Sequence, residues 1–447
     1  MDSKHFHHAL KISEDICIGC SHCMNVCPTE AIRIRNGKAI LYENRCVDCG
    51  ECFKACPVSA IFIDQDDFKR IQAFKYRIAL VPAVFIGQFH EGISRDQIYA
   101  AILANGFTHI YEVEMGVELL SDEMQIYSKQ HPEKKPLISS FCPAIIRLVQ
   151  VKFPALAENI MLLKPPLDIT ALYCRKELTD EGINPAEIGV FYITPCAAKI
   201  AAIKSPVGED YSMITGVINM DTLYNKVYKH IRNDRTIQPT ISPNKPLSKK
   251  ALQWTLTHGE SAHVPGRSLA IDEIHNVIEF LEKIESDEIS DIDFLELRAC
   301  DESCAGGVLL SANRFLVAER LRAYSAETET SDSTGINKYS DYLLRRISIQ
   351  AINPRSMMKL DENMEEAMRK LTKSGQMLQC LPLTDCGACG SPNCQAFAND
   401  IALGEADIRQ CVFIQKNREQ TGELTPDESL EMMKSIWGTE KFFSNRK

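Results

Sequence analysis

Cysteine carries most of the chemistry open to this sequence. Residues 17–28 read Cys-Ile-Gly-Cys-Ser-His-Cys-Met-Asn-Val-Cys-Pro, and residues 46–57 read Cys-Val-Asp-Cys-Gly-Glu-Cys-Phe-Lys-Ala-Cys-Pro. Each is a Cys-x2-Cys-x2-Cys-x3-Cys-Pro run. Thiolates are the ligands that iron–sulfur clusters require. The tight spacing lets one loop wrap three corners of a cube, while the fourth cysteine crosses to the other cluster. Cys17, Cys20, Cys23 and Cys56 should therefore hold one 4Fe-4S cluster, and Cys46, Cys49, Cys52 and Cys27 a second. Four-cysteine sites also bind zinc. Two full copies, both with the proline, favour iron–sulfur.

A third group reads Thr-Asp-Cys386-Gly-Ala-Cys389-Gly-Ser-Pro-Asn-Cys394-Gln-Ala-Phe-Ala, with Cys411 after sixteen further residues. Gly and Pro shape a tight loop, and Gln395–Leu403 reads as a helix ending at Gly404. The pattern resembles the small four-cysteine 4Fe-4S domain of corrinoid proteins and of some membrane electron-transport subunits. That resemblance implies Cys386, Cys389, Cys394 and Cys411 as ligands, with zinc again the alternative. Cys380 lies outside the spacing and reads as a buried thiol.

Three cysteine motifs remain between these groups: Ser140-Phe141-Cys142-Pro143-Ala144, Thr194-Pro195-Cys196-Ala197-Ala198-Lys199 and Cys300-Asp301-Glu302-Ser303-Cys304-Ala305-Gly306-Gly307. The elements around them alternate. Arg77–Ile86, Phe107–Val113, Ile188–Thr194 and Phe294–Arg298 read as strands, and Ser94–Leu103 and Leu172–Leu178 as helices. Alternation of this kind predicts an α/β domain with parallel pairing, its functional residues at strand ends.

In order and spacing these motifs resemble the iron-iron (FeFe) hydrogenases. The resemblance covers about residues 1–350, and the arrangement, with the last cluster domain and no PAS domain, is most similar to the sensory group D type. It implies that Cys142, Cys196, Cys300 and Cys304 hold the H-cluster, a 4Fe-4S cube joined to a two-iron subsite with carbonyl and cyanide ligands. Cys304 would bridge the two parts, Lys199 would hydrogen-bond a cyanide, and Gly306 and Gly307 would let backbone approach the cluster. Dihydrogen and protons would be the reactants, with a redox partner such as a ferredoxin or signalling protein and with maturation proteins for the two-iron subsite. Two ferredoxin clusters, the cube and the last domain use sixteen of the eighteen cysteines, leaving Cys174 and Cys380.

The sequence departs from the family where protons move. Phe141 stands where the fast enzymes carry a proton-passing cysteine, Thr194 and Arg298 where they carry methionine, and Ala202 and Gln88 where they carry glutamate. Proton transfer needs titratable groups within hydrogen-bond reach, so slow turnover and a hydrogen- or redox-sensing role are expected. Cys174, Glu260, Glu296, Asp301 and Glu302 are candidates for another path. Asp301 and Glu302 also read as a solvated loop, and Cys174 as a core residue. The alternative function is an electron-transfer or cluster-assembly protein that keeps the cube and lacks the two-iron subsite.

Composition fits this reading. Apolar residues are 45% and charged residues 25%, as in ordinary globular domains, and the net charge of -10 gives no basic face for nucleic acid. No apolar run reaches membrane-helix length, and the start lacks an export signal, so a cytoplasmic location without membrane contact, in an anaerobic setting, is expected. The fold class is multidomain α/β: a ferredoxin-like α+β domain over 1–75, an H-cluster α/β domain over 76–350, a connector helix over 351–375 capped by Gly375, a small helical 4Fe-4S domain over 376–415 and a polar tail over 416–447. The Met-rich stripe of the connector suggests packing onto the hydrogenase domain. His5, His7 and His8 read as a mobile terminus, His22 as a solvated neighbour of Cys23, Ser242–Pro246 as a surface loop and Glu327–Asn337 as a polar excursion.

Overall fold

The computed structural model describes residues 6–233, 247–328, 335–356, 360–361 and 363–442. His5, Ser242–Pro246 and part of Glu327–Asn337 lie outside these residues. The chain divides into two compact units, one of residues 1–9 and 64–354, the other of residues 10–63 and 355–447.

The second unit holds the first and last cysteine groups. Strand β1 (Leu10–Ile12) pairs antiparallel with the strand Ile61–Ile63. Strands β2 (Ile32–Arg35) and β3 (Lys38–Leu41) form a hairpin, and β4 is Ile61–Ile63. The hairpin turns at Asn36-Gly37, both at positive φ (50° and 73°), the conformation a two-residue hairpin needs. Each ferredoxin run is thus followed by a short strand, as the repeat predicts. Helix Cys394–Leu403 starts under an Asn393 cap, whose side chain accepts from Ala396 N at 2.7 Å, and ends at Gly404 with φ +82°.

The two cysteine groups, over three hundred residues apart, fold together in this unit. Ile34 N donates to Gly390 O at 2.8 Å, and Trp437 Nε1 donates to Ala388 O at 2.9 Å. Arg33 and Arg35 both reach Asp400, at 2.7 and 2.8 Å, and Asp400 is 2% exposed. The polar tail therefore docks: helix Pro426–Trp437 carries Ser435 and Ile436, whose carbonyls accept from Asn36 and Gly37.

Two sequence expectations change here. The connector helix runs Met364–Gln379, so Gly375 lies inside it and not at its end, and Met364, Met368 and Leu371 are exposed. Cys380 is also exposed, at the helix end, with Sγ donating to Gln376 O at 3.4 Å.

The first unit is α/β with parallel sheets. β5 (Tyr76–Val81), β6 (His109–Glu112), β8 (Ile188–Thr194) and β9 (Gly216–Asn219) form one sheet in the order β6-β5-β8-β9, every pair parallel. A smaller parallel sheet has the order β10-β11-β7, from β7 (Leu137–Ile138), β10 (Ser268–Ile271) and β11 (Phe294–Leu297). β8 is buried at all seven residues, the pattern of a central parallel strand covered on both faces. β5 is shorter than its apolar run, because Pro82 cannot extend the ladder and Ala83–Ile86 turns into a short helix. The helix after it, Arg95–Ala104, opens with a Ser94–Gln97 capping box. The core includes Ile78, Leu80, Leu172, Tyr192, Trp254 and Phe294.

Phe6, His7 and His8 are not loose. Phe6 lies 3.7 Å beneath the Arg147 guanidinium, His7 N donates to Ser205 Oγ at 3.0 Å and His8 is 2% exposed. Among the described residues no helix is long and apolar enough to cross a membrane.

Candidate metal centre

In the first unit the cysteine motifs sit where strands and helices meet. Cys142 caps helix Pro143–Lys152, whose first residue is proline. Cys196 caps helix Ala197–Lys204 after β8, and Thr194 Oγ1 donates to its carbonyl at 2.9 Å. Cys300 follows β11, and Ser303 N donates to its carbonyl at 3.1 Å. Cys304 lies in the turn Ser303–Gly306, with its own N–H on Thr255 O at 3.1 Å.

The glycines after Cys304 have a structural reason. A Cβ on Gly306 would stand 1.8 Å from Asp301 O, and one on Gly307 would stand 2.7 Å from Pro195 O. Glycine here lets the Cys300–Cys304 loop close on itself and on the Cys196 motif, so the close approach is to protein backbone.

Lys199 Nζ lies 3.6 Å from Cys304 Sγ and is almost buried. Burial pulls its pKa down, but Cys304, Tyr192, Cys196 and Cys142 together push it above the ordinary lysine range. Burial pushes the Cys196 thiol up to about 12, with Lys199 pulling the other way and Cys304 and Cys142 adding to the rise. Three of the four motif cysteines are thus in electrostatic range of one another and of one buried cation.

Phe141, 6% exposed, has Lys199 Nζ at 4.5 Å and Arg298 Cζ at 3.9 Å from its ring centre. Arg298 is held in turn by Glu260 at 2.9 Å and Glu296 at 3.6 Å. Glu260 also accepts from Ser139 Oγ at 2.6 Å, and Glu296 from Glu260 N and Ser261 N. Burial raises Glu260 to about 7 against the opposing pull of Arg298.

The structure thus separates the candidates for a second proton path. Glu260 and Glu296 are committed to Arg298. Asp301 pairs with Arg314 at 2.6 Å and Glu302 with Arg322 at 3.2 Å, both on the surface side. Cys174 is fully buried in helix Pro166–Asp180 and donates to Ala171 O, as a core thiol does. Gln88 is buried and accepts from Ser311 N at 2.8 Å.

A pocket of about 100 Å³ adjoins Phe141 and Lys199. Its wall brings in groups that no sequence motif marked: Glu114, Tyr192, Asp168 and Glu209. Glu114 is 1% exposed; its Oε2 accepts from Ala83 N at 3.0 Å, while its Oε1 and the Tyr192 hydroxyl have no partner among the described residues. Burial lifts Glu114 to about 8.

In the second unit the thiols of the two ferredoxin runs lie within electrostatic range of one another, Cys23 reaching Cys52 across the two runs. Cys23 is lifted to about 12, mainly by burial, with Cys20, Cys17 and Cys56 adding to the rise. Burial likewise raises Cys46 and Cys49, and Cys27 is among the thiols that add to both. Cys386, Cys389, Cys394 and Cys411 line one small pocket. Cys389 is raised to about 11, mainly by burial, with Ser391 N and Arg35 opposing and Cys411 and Cys386 adding.

These donor sets suit metal clusters. Buried thiols crowded together resist ionising unless a bound cation compensates them, which iron does. In the first unit the buried Lys199 cation and the orphaned Glu114 and Tyr192 atoms beside the thiols also suit a further anionic, hydrogen-bonding group.

Known families agree on the parts. Residues 75–225 match the family "Iron only hydrogenase large subunit, C-terminal domain". The chain is FeFe-hydrogenase-like. The hydrogenase-like match ends before Cys300 and Cys304. Residues 16–61 match a 4Fe-4S dicluster domain and residues 381–413 a putative Fe-S cluster family, so 4Fe-4S domains accompany it. A component of the ion-translocating oxidoreductase complex of Azoarcus sp. (strain BH72) is 61% identical over 31 residues, 7% of this chain and 17% of that protein. The chain therefore spans about a sixth of the length of the curated relatives it matches. Among solved structures, HydA1 FeFe-hydrogenase from Chlamydomonas reinhardtii aligns at 15% identity and a TM-score of 0.48, over 62% of this chain and 94% of that one. A structure of HydA(deltaEFG) aligns at 14% identity with the same TM-score, over 62% of this chain and 93% of that one.

Proposed function

We propose that this protein is an FeFe hydrogenase of low turnover with a hydrogen- or redox-sensing role, resembling the group D sensory type. The observation that carries the reading is the pairing of Lys199 Nζ with Cys304 Sγ at 3.6 Å on the edge of a mostly apolar pocket. A protein that needed only a cube would have no evident use for that buried cation.

In this reading Cys142, Cys196, Cys300 and Cys304 would hold the H-cluster, with Cys304 the thiolate nearest Lys199. When bound, its two-iron subsite supplies the splitting of dihydrogen into two protons and two electrons. Lys199 orients it by donating to an anionic ligand. Phe141 and the apolar wall exclude water. Two 4Fe-4S clusters on Cys17, Cys20, Cys23, Cys56 and on Cys46, Cys49, Cys52, Cys27, with a third on Cys386, Cys389, Cys394 and Cys411, carry the electrons to a partner protein of ferredoxin or signalling type. Maturation proteins would deliver the subsite. Slow turnover follows from Phe141, which can neither give nor take a proton beside Lys199.

The test is isotope exchange. Protein prepared anaerobically with the two-iron cofactor, held under dihydrogen in heavy water, should release HD at a slow, measurable rate. No HD above the level of cofactor-free protein would contradict the proposal and favour an electron-transfer or assembly role.

A further inference from the structure

The cavity beside Lys199 is not isolated. A second, more open cavity shares two wall residues with it, Asp168 and Glu209. Asp168 stands in the first turn of helix Pro166–Asp180, behind two prolines that fix the turn's backbone. Its side chain keeps some accessible surface, and among the described residues nothing hydrogen-bonds its carboxylate. Glu209 is paired with Lys164, whose Nζ also donates to Ser348 O at 3.4 Å, and this pair borders the outer cavity with Arg346 and Asp210. One carboxyl group without protein partners therefore stands on the partition between a space beside Lys199 and Phe141 and a space open to solvent.

From this geometry we infer that Asp168 is the proton relay of this protein, taking the place of the thiol that Phe141 replaces, with Glu209 and Lys164 as the pair that positions and tunes it. The inference deepens the hydrogenase reading and rests on it. A proton from the inner cavity forms an O–H bond to the Asp168 carboxylate, and that bond breaks toward water in the outer cavity. No electron moves in the step, and the reverse sequence brings protons in. The groups that face Asp168 support such traffic. Burial raises it to about 7, the Glu209 charge adds to the rise, and Lys164 and Lys199 oppose it. A relay works best with its proton affinity near the working pH.

The experiment has two readouts. In the full chain prepared without the two-iron cofactor, an infrared pH titration should show a protonated-carboxyl band with a midpoint near 7. Asp168→Asn should remove one carboxyl's share of that band and leave the shares of Glu260 and Glu114, and Glu209→Gln should shift the Asp168 midpoint downward, because a like charge is lost. In cofactor-loaded protein, Asp168→Asn should lower HD release by roughly 100-fold and Asp168→Glu should restore most of it, with carbonyl and cyanide bands unchanged. Intact carbonyl and cyanide bands with HD release unchanged in Asp168→Asn overturn the relay alone, as does a carboxyl band whose amplitude near pH 7 the substitution leaves unchanged. Absence of carbonyl and cyanide bands in the wild type overturns the hydrogenase reading, and the relay with it.

Discussion

The Lys199 ammonium lies 3.6 Å from the Cys304 sulfur, in a pocket that leaves the lysine almost no solvent. A lysine in such a place needs negative charge around it, and the thiolates supply only part of what a bound anionic group would supply. Lys199→Met keeps the side-chain volume and removes the charge. It should leave the iron content of the cubes unchanged while cutting retention of the two-iron cofactor at least roughly tenfold, the loss of about 1.4 kcal/mol or more expected for a charge-assisted hydrogen bond. Iron analysis and infrared band intensity on the same sample check this.

Phe141 and Lys199 line the same pocket, with the Lys199 ammonium 4.5 Å from the ring centre. Phe141→Cys puts a titratable group there and should raise hydrogen turnover by roughly 100-fold or more, the usual worth of a positioned proton donor. The same change empties ring volume beneath Arg298 and should cost about 3 kcal/mol of stability. Turnover and a urea midpoint measured together separate the two effects. Unchanged turnover in a folded, loaded variant would contradict the reading of Phe141 as the broken link.

Glu114 predicts a pH dependence with a definite sign. Its folded-state pKa is raised from 4.5 to about 8, chiefly by burial. The stability tied to its proton is fully present below about pH 4.5 and is lost as pH rises through about 8. Glu114→Gln keeps an acceptor for Ala83 N and removes the ionisation. The variant should match wild type at pH 4.5 and exceed it at pH 9, the gap opening by up to roughly 1.4 kcal/mol per pH unit. Urea unfolding of the cofactor-free protein at the two pH values measures it.

In the second unit, Asp400 is the single acid between Arg33 and Arg35, and it also accepts from Ser391 Oγ at 2.7 Å. Asp400→Asn leaves two guanidinium groups without their shared counter-charge in a buried place. The cost should be about 3–5 kcal/mol. The loss should fall on the contact between the first and last cysteine groups, since Arg35 also donates to Cys389 O and Gly390 O. Limited proteolysis should cut near residue 380 faster in the variant, and the cluster on Cys386, Cys389, Cys394 and Cys411 should lose iron first.

The parallel α/β class and the placement of Cys142, Cys196, Cys300 and Cys304 at element ends or in turns were legible in the sequence. Thiol spacing is local, and an apolar run such as Ile188–Thr194 announces a buried parallel strand. What was illegible is set by distant partners. Nothing in the runs around Arg33 and Arg35 reveals that their acid is Asp400. Asp168 sits in an ordinary helix start and Glu114 in a short turn, and only tertiary closure gives either one a cavity. Cys380 read as buried because thiols commonly are, but its helix runs past Gly375 and leaves it on the surface. His8 read as loose because terminal histidines commonly are, but it is buried, with neighbouring Phe6 under Arg147.

The account stands or falls on whether a two-iron group with carbonyl and cyanide ligands sits against Lys199 and Cys304. The direct measurement is the infrared spectrum of the anaerobic, cofactor-supplied protein under dihydrogen and under inert gas. Carbonyl and cyanide bands that shift with the gas, and that weaken in Lys199→Met, are the predicted result. A spectrum without such bands, from protein whose iron content fills all four cubes, would contradict the account and leave an iron–sulfur electron-transfer or assembly protein in its place.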